Sequence, residues 1–245
     1  MLFRSGDTDS VFVHMELESG RVKAAAADLA AYLTEWWRQE LLSEYGIISF
    51  LELEFETHFT RFFMPTVRGS EKGSKKRYAG LVDTGGIERK LVFKGLESVR
   101  SDWTPLAKEF QQDLYLKVFH EEPIADFVRS VVQRVLEGDL DEKLTLRRRV
   151  RRQLSDYQKN VPPHVRAARL ADQERQKRGL KPAFDKGGWI EYRMTVNGPE
   201  PLQYLSSAID YNFYIDRQLA PIADAILSFQ QTSLAELTDK QLDLF

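Results

Sequence analysis

The stretch RSGDTDSVFV, from Arg4 to Val13, places two aspartates one residue apart in a short apolar setting. Apolar residues on both sides and a central Gly6 predict a β-hairpin with acids at its tip, where glycine supplies the unusual backbone angle. Two carboxylates this close, Asp7 and Asp9, repel each other unless a proton or a cation lies between them. Mg²⁺ would relieve the repulsion because it binds one or two carboxylates together with substrate phosphates. A solvated turn is the other interpretation, since Asp and Ser are common turn residues.

Length and composition indicate a globular protein with one large domain or two small ones. The chain has 245 residues, of which 42% are apolar and 15 are Phe, so it can bury a sizeable core. The absence of cysteine excludes disulfides, thiolate zinc sites and cysteine nucleophiles, and it is compatible with a reducing compartment. With no run of 18 apolar residues and no signal-peptide pattern, we expect a cytoplasmic protein without a membrane partner.

Positive charge is concentrated in two short runs. The net charge of −2 gives no indication of a nucleic-acid partner, but KGSKKR (Lys72 to Arg77) and RRRVRR (Arg147 to Arg152) are strongly cationic. Such runs are often solvated faces. Two of them beside ordered-looking segments favour contacts with phosphates.

The segment after the first hairpin is predicted to be one helix of about six turns. Apolar residues recur at helical spacing from Val22 to Trp36, and Gly46 closes the segment. The next stretch, from Ile48 to Val67, alternates apolar and polar residues and predicts strands with one wet face. The acids on that face could hold a metal, although a solvated strand face is the favoured interpretation; they are Glu52, Glu54 and Glu56.

The rest of the chain is predicted to be one further hairpin followed by helices. The hairpin joins Tyr78–Val82 to Lys90–Phe93 through a turn that contains two glycines. From Thr104 onward the pattern becomes helical, and the composition shift near Trp103 predicts a domain boundary. We expect an α+β protein whose second part has helices within Thr104–Phe119, Pro123–Asp139, Glu142–Tyr157 and Asp210–Gln231, with an irregular polar stretch from Pro162 to Asn197.

Three stretches occur in an order that resembles family B DNA polymerases. They are GDTDS (Gly6 to Ser10), KKRYAG (Lys75 to Gly80) and KGLESVRSDW (Lys94 to Trp103). LSDYQKNVPPHVRAARLADQ (Leu154 to Gln173) and the terminal QLDLF narrow the match to the C-terminal part of the bacterial DNA polymerase II group. The resemblance implies an antiparallel palm-type sheet with a packed helix over residues 1–103, a mostly helical thumb over 104–232, and a flexible tail over 233–245.

The resemblance also implies roles for individual residues. Asp9 would bind catalytic Mg²⁺, with Asp7 in support, in a two-metal site for nucleotidyl transfer from dNTP to a primer end. Lys75, Lys76, Arg77 and Tyr78 would grip the primer–template, partly through minor-groove acceptors that are nearly the same for every base pair. Lys94 and Arg100 would support the primer strand. Contacts with the backbone of the product duplex would come from Arg148, Arg151, Tyr157, His164 and Arg166.

The last five residues resemble the peptide by which bacterial polymerases hold the sliding clamp. Gln241 can form hydrogen bonds, and three apolar anchors follow it, namely Leu242, Leu244 and Phe245. A plain exposed terminus is the alternative for such a short segment.

Two departures from the family pattern limit what the resemblance implies. Ser5 stands where the family usually has an aromatic residue, so we expect the family sequence to begin at about Gly6. The family's other catalytic aspartate, its nucleotide-binding lysine and its exonuclease are not among these 245 residues. We therefore expect the C-terminal part of a DNA-directed DNA polymerase of replication and repair. We expect it to be associated with the nucleoid, and we expect the chain by itself to be inactive. A non-catalytic module that binds duplex DNA and the clamp, one half of a split polymerase whose N-terminal portion is a partner, and a purely structural protein are the alternatives.

Overall fold

The computed structural model describes residues 2–7, 10–65, 76–83, 89–100 and 102–238. The chain forms two compact units, Met1–Lys94 and Gly95–Phe245, which divide a few residues before the predicted boundary at Trp103. Both units contain strands and helices, and the described strands pair antiparallel, so the α+β class is confirmed. The assignment of the parts to palm, thumb and tail stays a prediction.

The first hairpin is confirmed. Strand β1 (Leu2–Asp7) pairs antiparallel with strand β2 (Ser10–His14), and Asp7 lies opposite Ser10 at the last pair of the ladder. Gly6 lies inside β1, opposite Val11, and is therefore not the turn residue that the sequence suggested. Asp9 and the side chain of Asp7 lie outside the described part of the chain.

Helix α1 (Ser19–Tyr45) follows the hairpin and has 27 residues, more than the predicted six turns. It ends where predicted, at Gly46, whose left-handed backbone (φ 64°) lets its amide bond to the carbonyl of Leu42. The amide of Ile47 bonds back to the carbonyl of Leu41, which reverses the direction of the chain. All residues of α1 are described, and Val22 is the only one that is buried.

The predicted strand over the acid row is wrong. Residues 47–58 have no regular structure, and strand β3 covers only Phe59–Phe63. The alternating pattern does keep the glutamates exposed, but the Leu53 amide donates to Thr34 Oγ1 of α1 (3.0 Å) and not to a neighbouring strand. Among the described residues, no cluster of three or more His, Asp or Glu side chains could hold a metal ion.

The second hairpin is confirmed and extends a three-stranded sheet. Strands β4 (Tyr78–Asp83) and β5 (Arg89–Lys94) pair antiparallel, and β3 lies on the other side of β4. Four aromatic rings on β2, β3 and β4 form a cluster with centroids 4.9–5.9 Å apart: Phe12, Phe59, Phe62 and Tyr78. The cluster joins the first hairpin to this sheet.

The second unit begins with two helices that the sequence predicts correctly. Helix α2 (Pro105–Phe119) has Thr104 as its N-cap, with Thr104 Oγ1 accepting from the Ala107 amide (3.2 Å), and proline at a first-turn position. Helix α3 (Ala125–Leu136) is followed by Gly138 with φ 84°. The apolar faces of both helices contribute to the core of this unit.

The predicted helix over Glu142–Tyr157 is wrong, because its arginine-rich part is a strand. Strand β6 (Leu146–Val150) pairs antiparallel with β7 (Gly188–Thr195), which in turn pairs with β8 (Gly198–Pro201). Leu146 and Val150 are buried while the arginines beside them are exposed, a period of two that belongs to strands. Pairing with β7, some forty residues later in the chain, decides that this segment is a strand. The local sequence pattern does not indicate such a distant partner.

The predicted irregular stretch from Pro162 to Asn197 is also wrong, since it contains helix α4 (Pro163–Lys177) and strand β7. The apolar stripe of α4 is made largely of alanine, which gives a weak hydrophobic signal. Asp172 on its inner side is buried and accepts from the amides of Ala183 (2.6 Å) and Phe184 (3.2 Å). This carboxylate therefore fixes the loop that leads into β7.

The predicted last helix is confirmed, with a widened turn in its middle. Helix α5 (Tyr211–Tyr214) continues through a π-helical turn (Ile215–Leu219) into helix α6 (Ala220–Leu227). Pro221 has no amide hydrogen to bond back into the preceding turn, which accounts for the widening. The π turn places buried Gln218 at the start of α2, where Thr104 Oγ1 donates to its Oε1 (2.6 Å). No helix in the described part of the chain is long and apolar enough to cross a membrane.

We predict that Gly80→Ala destabilises the first unit by about 1–3 kcal/mol, the range for overpacking. A Cβ at Gly80 would come within 2.2 Å of the Phe59 ring. Urea unfolding of the full chain measures the cost. In a Phe59→Ala background the same substitution should cost almost nothing further, and additive losses would contradict the proposed close approach.

Candidate nucleic-acid interface

Three of the predicted cationic site residues of the first unit lie beside Tyr78 of the aromatic cluster, namely Lys76, Arg77 and Lys94. Lys76 is exposed, Arg77 is half-buried, and half-buried Tyr78 begins β4. Exposed Lys94 ends β5 directly opposite Tyr78, so the structure brings these two predicted site residues together. Lys75 lies outside the described residues.

The acid hairpin is attached to this same strand by aromatic packing. The ring centroid of Phe12 on β2 lies 5.1 Å from that of Tyr78 and 4.9 Å from that of Phe62. Phe12 is two residues from Ser10, which pairs with Asp7 at the end of the hairpin. The backbone of Asp7 is thus held by β2, and β2 contacts the start of β4 through Phe12 and Tyr78.

Arg100 is engaged within the second unit by a neighbouring acid. Its guanidinium makes two hydrogen bonds to Asp102, Nε to Oδ1 at 3.0 Å and Nη2 to Oδ2 at 2.6 Å. The hydrogen bond from Arg100, followed by the positive charges of Arg100 and Arg148, lowers the pKa of Asp102. A phosphate near Arg100 would therefore meet a pair that is already partly neutralised.

Strand β6 separates its arginines onto two faces of the sheet. Arg148 is half-buried on the inner face with Leu146 and Val150, whereas Arg147 and Arg149 are exposed on the outer face. The charge of Arg148 lowers the pKa of Asp102 and of His164, so these three predicted or neighbouring polar groups lie within electrostatic range of one another. Because Arg148 is half-buried, a duplex phosphate could contact only the exposed part of its side chain.

The outer face of β6 and β7 combines cations with an exposed tryptophan. The Arg147 guanidinium lies 4.7 Å from the ring centroid of Trp189 and 3.7 Å from the Glu191 carboxylate. Arg149 pairs directly opposite Trp189. A shallow depression beside them is lined by Arg149, Arg151, Lys186 and Trp189. We call the set of Arg147, Arg149, Arg151, Lys186 and Trp189 the outer cationic face.

Sequence reasoning assigned phosphate contacts to the whole RRRVRR run and named Arg151 from this face, but it missed Lys186 and Trp189. A helix over residues 142–157 would place consecutive arginines around a cylinder and not on one side of a sheet. The alternation of apolar Leu146 and Val150 with exposed arginines was the available signal. Nothing local indicated that Lys186 and Trp189 would join them.

Tyr157 is placed by a cation that sequence reasoning also missed. Arg169 on α4 donates from Nη2 to the carbonyls of Leu154 (2.8 Å) and Tyr157 (2.7 Å). The Tyr157 hydroxyl accepts from the Arg151 amide at 3.4 Å. Arg169 is therefore a positioning residue for the segment between β6 and α4.

His164 and Arg166 lie in the first turn of α4. Burial and then the charge of Arg148 lower the pKa of His164, which favours the neutral imidazole in the free chain. Arg166 is exposed, and its Nη2 lies over the turn between β7 and β8, where a Cβ on Gly198 would come within 2.9 Å. The four predicted clamp-binding residues, Gln241, Leu242, Leu244 and Phe245, lie outside the described part of the chain.

Comparison with known proteins connects this arrangement to a family. The profile of DNA polymerase family B matches residues 5–229, which begins one residue before the predicted start at Gly6. The chain is 52% identical to DNA polymerase II of Escherichia coli (strain K12), over 98% of this chain and 31% of that protein. It is 32% identical to DNA polymerase 2 of Aeropyrum pernix over 64% of this chain and 19% of that protein. With the DNA polymerase of Pyrococcus horikoshii the identity is 30%, over 72% of this chain and 14% of that protein.

We predict that removing two cations from the outer cationic face, by Arg149→Ala with Lys186→Ala, weakens binding to duplex DNA. The slope of log K against log salt should become shallower by about 2, since each lost phosphate contact contributes roughly 0.9. Fluorescence anisotropy of a labelled duplex at several salt concentrations measures both quantities. The matched control is Lys23→Ala with Arg134→Ala, which removes equal charge from exposed helix positions. An equal loss in both double variants would contradict a specific role for this face.

Proposed function

Because the chain belongs to DNA polymerase family B, we propose that it takes part in template-directed DNA synthesis as the C-terminal part of a DNA-directed DNA polymerase. The observation that carries the proposal is a match that runs from the acid hairpin to the last long helix, together with 52% identity to a DNA polymerase II. The chain spans 31% of that relative's length, so the activity of the whole enzyme is itself part of the proposal.

The hairpin has the donor chemistry that a catalytic metal requires. Carboxylate oxygens are preferred Mg²⁺ ligands, and Asp7 ends β1 with Asp9 two residues further along the chain. We assign metal binding to Asp9, with Asp7 in support. When bound, Mg²⁺ would activate the primer 3′-oxygen and stabilise the leaving pyrophosphate. Two carboxylates supply fewer than the roughly six oxygens that each ion needs, so other ligands must complete the site.

The chain's own residues would hold the DNA during synthesis. Lys75, Lys76 and Arg77 would offer charge to the primer–template, and Tyr78 would pack beside the sugar. The outer cationic face, with His164 and Arg166, would contact the product duplex through its backbone. Backbone contacts do not depend on sequence, as copying any template requires.

We predict that the purified chain does not extend a primer with Mg²⁺ and all four dNTPs. Supplying the portion of E. coli DNA polymerase II that lies outside the match should restore extension. In that mixture Asp9→Ala should reduce the rate by more than about 100-fold, the scale for removing one preorganised electrostatic group. Asp113→Ala, at an exposed position on α2, is the control and should leave extension unchanged.

Two results would count against this assignment. Robust extension by the chain alone would show that the metal site is complete within these residues. Restored synthesis that is indifferent to Asp9→Ala, with duplex binding intact, would favour the alternative of a non-catalytic module that binds DNA.

We also propose that the terminal QLDLF binds a sliding clamp. Support comes from the short helix α7 (Leu234–Thr238), which is firmly anchored just before it. Leu234 is buried and its amide donates to Asp224 Oδ1 (2.7 Å), while the Leu237 carbonyl accepts from Arg129 Nε (2.9 Å). A peptide that starts from a fixed point raises the local concentration of the enzyme at the primer end even when its own affinity is modest.

Deletion of Gln241–Phe245 should abolish capture of the chain by an immobilised bacterial sliding clamp. Affinity for bare duplex DNA should stay unchanged, because the tail is not part of the outer cationic face. Surface plasmon resonance measures both interactions on the same preparations. Equal clamp affinity before and after the deletion would overturn the assignment.

A further inference from the structure

Trp189 is exposed on a sheet face that is otherwise cationic. It lies on β7 and is 54% exposed, although tryptophan side chains in folded proteins usually bury most of their surface. The Arg147 guanidinium lies 4.7 Å from its ring centroid, and Arg149 is its direct partner on β6. The indole is therefore flanked by cations while about half of its surface stays open to a ligand.

The loop that leads into β7 is fixed against the end of β6. A Cβ on Gly187 would come within 2.5 Å of the Val150 carbonyl oxygen, because the loop backbone packs directly on the strand. The Gly187 amide donates to the carbonyl of Phe184 (2.9 Å), and buried Asp172 accepts from the Phe184 amide (3.2 Å). The ring of Trp189 and the cations beside it are thus placed before any ligand binds, which lowers the entropy that binding would cost.

The positive charge of this face is available to phosphates. Within the described part of the chain, Arg149, Arg151 and Lys186 are exposed and form no ion pair with an acid. Arg147 is the exception, since its Nε lies 3.7 Å from the Glu191 carboxylate. Three cations can therefore contact successive phosphates of a nucleic-acid strand, an interaction that requires no particular sequence.

The combination of an open aromatic ring with available cations indicates a single strand. In a duplex the bases are stacked on one another and the backbone faces outward, so an indole on a protein surface has no free base to contact. An unpaired base can lie on an aromatic ring while cations beside the ring follow the phosphates, as in proteins that bind single strands. Because every base has a π face, this contact tolerates any sequence.

We infer that the outer cationic face is also a binding site for single-stranded DNA, in which the Trp189 indole stacks on an unpaired base and the neighbouring cations contact the phosphates on either side. The inference rests on the proposed function, because it adds an unpaired strand to the duplex that this face would contact. A primer–template offers two sources of such a strand, namely the template beyond the primer and a primer end that has separated from the template. The stacking chemistry is the same for both.

The test measures the binding of labelled DNA to the full 245-residue chain by fluorescence anisotropy. The probes are an oligothymidylate, an abasic strand of the same length and a blunt duplex. Trp189→Ala should lower the ratio of oligothymidylate affinity to duplex affinity by at least about 5-fold, the lower end for the loss of one stacked base. Trp189→Phe should keep most of that ratio, because a phenyl ring can still stack.

Three controls separate stacking from charge. The abasic strand offers phosphates without bases, so it should bind the wild-type chain more weakly than oligothymidylate does, and this comparison needs no variant. Arg149→Ala with Lys186→Ala should weaken binding of the abasic strand, whereas Trp189→Ala should not. The matched control Phe229→Ala removes an aromatic side chain of similar exposure (57%) from the same unit and should keep the wild-type ratio.

Several results would overturn the inference. They are an unchanged affinity ratio in Trp189→Ala, an equal fall of the ratio in Phe229→Ala, and equal affinity of the wild-type chain for the oligothymidylate and the abasic strand. Binding of the wild-type chain to vesicles of anionic lipid that is lost in Trp189→Ala, with no preference for strands that carry bases, would assign the ring to a membrane surface instead.

Two extended duplexes identify which strand is held. One carries a single-stranded template overhang, and the other carries a primer end with several mismatched bases. The duplex that binds more tightly than the blunt duplex, and loses this gain in Trp189→Ala, contains the strand that stacks on the indole. No gain with either extended duplex would overturn the inference.

The outcomes also distinguish this inference from the proposed function. Base-dependent binding through Trp189, together with no Asp9-dependent synthesis in the reconstituted enzyme, would keep the single-strand site and contradict the function. Asp9-dependent synthesis, together with an unchanged affinity ratio in Trp189→Ala, would contradict only the single-strand site.

Discussion

The contact between Phe12 and Tyr78 is the constraint on which the candidate active surface depends. A two-stranded hairpin is marginally stable in water, so β1 and β2 need something to pack against. Their ring cluster with β3 and β4 provides it, with centroids within 6 Å of one another. Gly80 is part of the same arrangement, because the Phe59 ring occupies the space that a side chain would need. The two family motifs GDTDS and KKRYAG therefore lie in segments that contact each other through the rings of Phe12 and Tyr78.

In the second unit the corresponding constraint is the pairing of β6 with β7. It places Arg147 and Arg149 on the exposed face beside Trp189 and leaves Arg148 half-buried on the other face of the strand. Buried polar groups then fix the elements around the sheet. Asp172 holds the loop before β7, and Gln218 holds the start of α2 from a π turn. Each satisfies backbone groups that would be costly to bury unpaired.

The parts of the fold that sequence predicts are those set by local rules. The hairpins, the Gly46 end of α1, the helix within Thr104–Phe119 and the last long helix all follow from apolar patterning, end signals and helical spacing. The failures occur where a distant partner decides. Residues 51–56 alternate like a strand but bond to Thr34 of a helix, and Arg147–Arg149 could be helix or strand until Trp189 is placed opposite them.

The candidate site divides in the same way. Family resemblance identifies Asp9, Tyr78 and Arg166 one motif at a time, without geometry. The outer cationic face is assembled from residues that no single motif contains, among them Lys186 and Trp189. The segment after α1 reads from sequence as a strand with one wet face, whereas it has no regular structure and Leu51, on the predicted apolar face, is 47% exposed.

Hydrogen–deuterium exchange of the whole chain, with and without a primer–template duplex, tests the central claim most directly. The claim is that the acid hairpin and the KKRY strand form one surface at which DNA is held. It predicts slower exchange at once in the peptides that contain Ser10–His14, Tyr78–Asp83 and Leu146–Val150. Protection confined to Leu146–Val150, with the hairpin amides unchanged at saturating DNA, would contradict it.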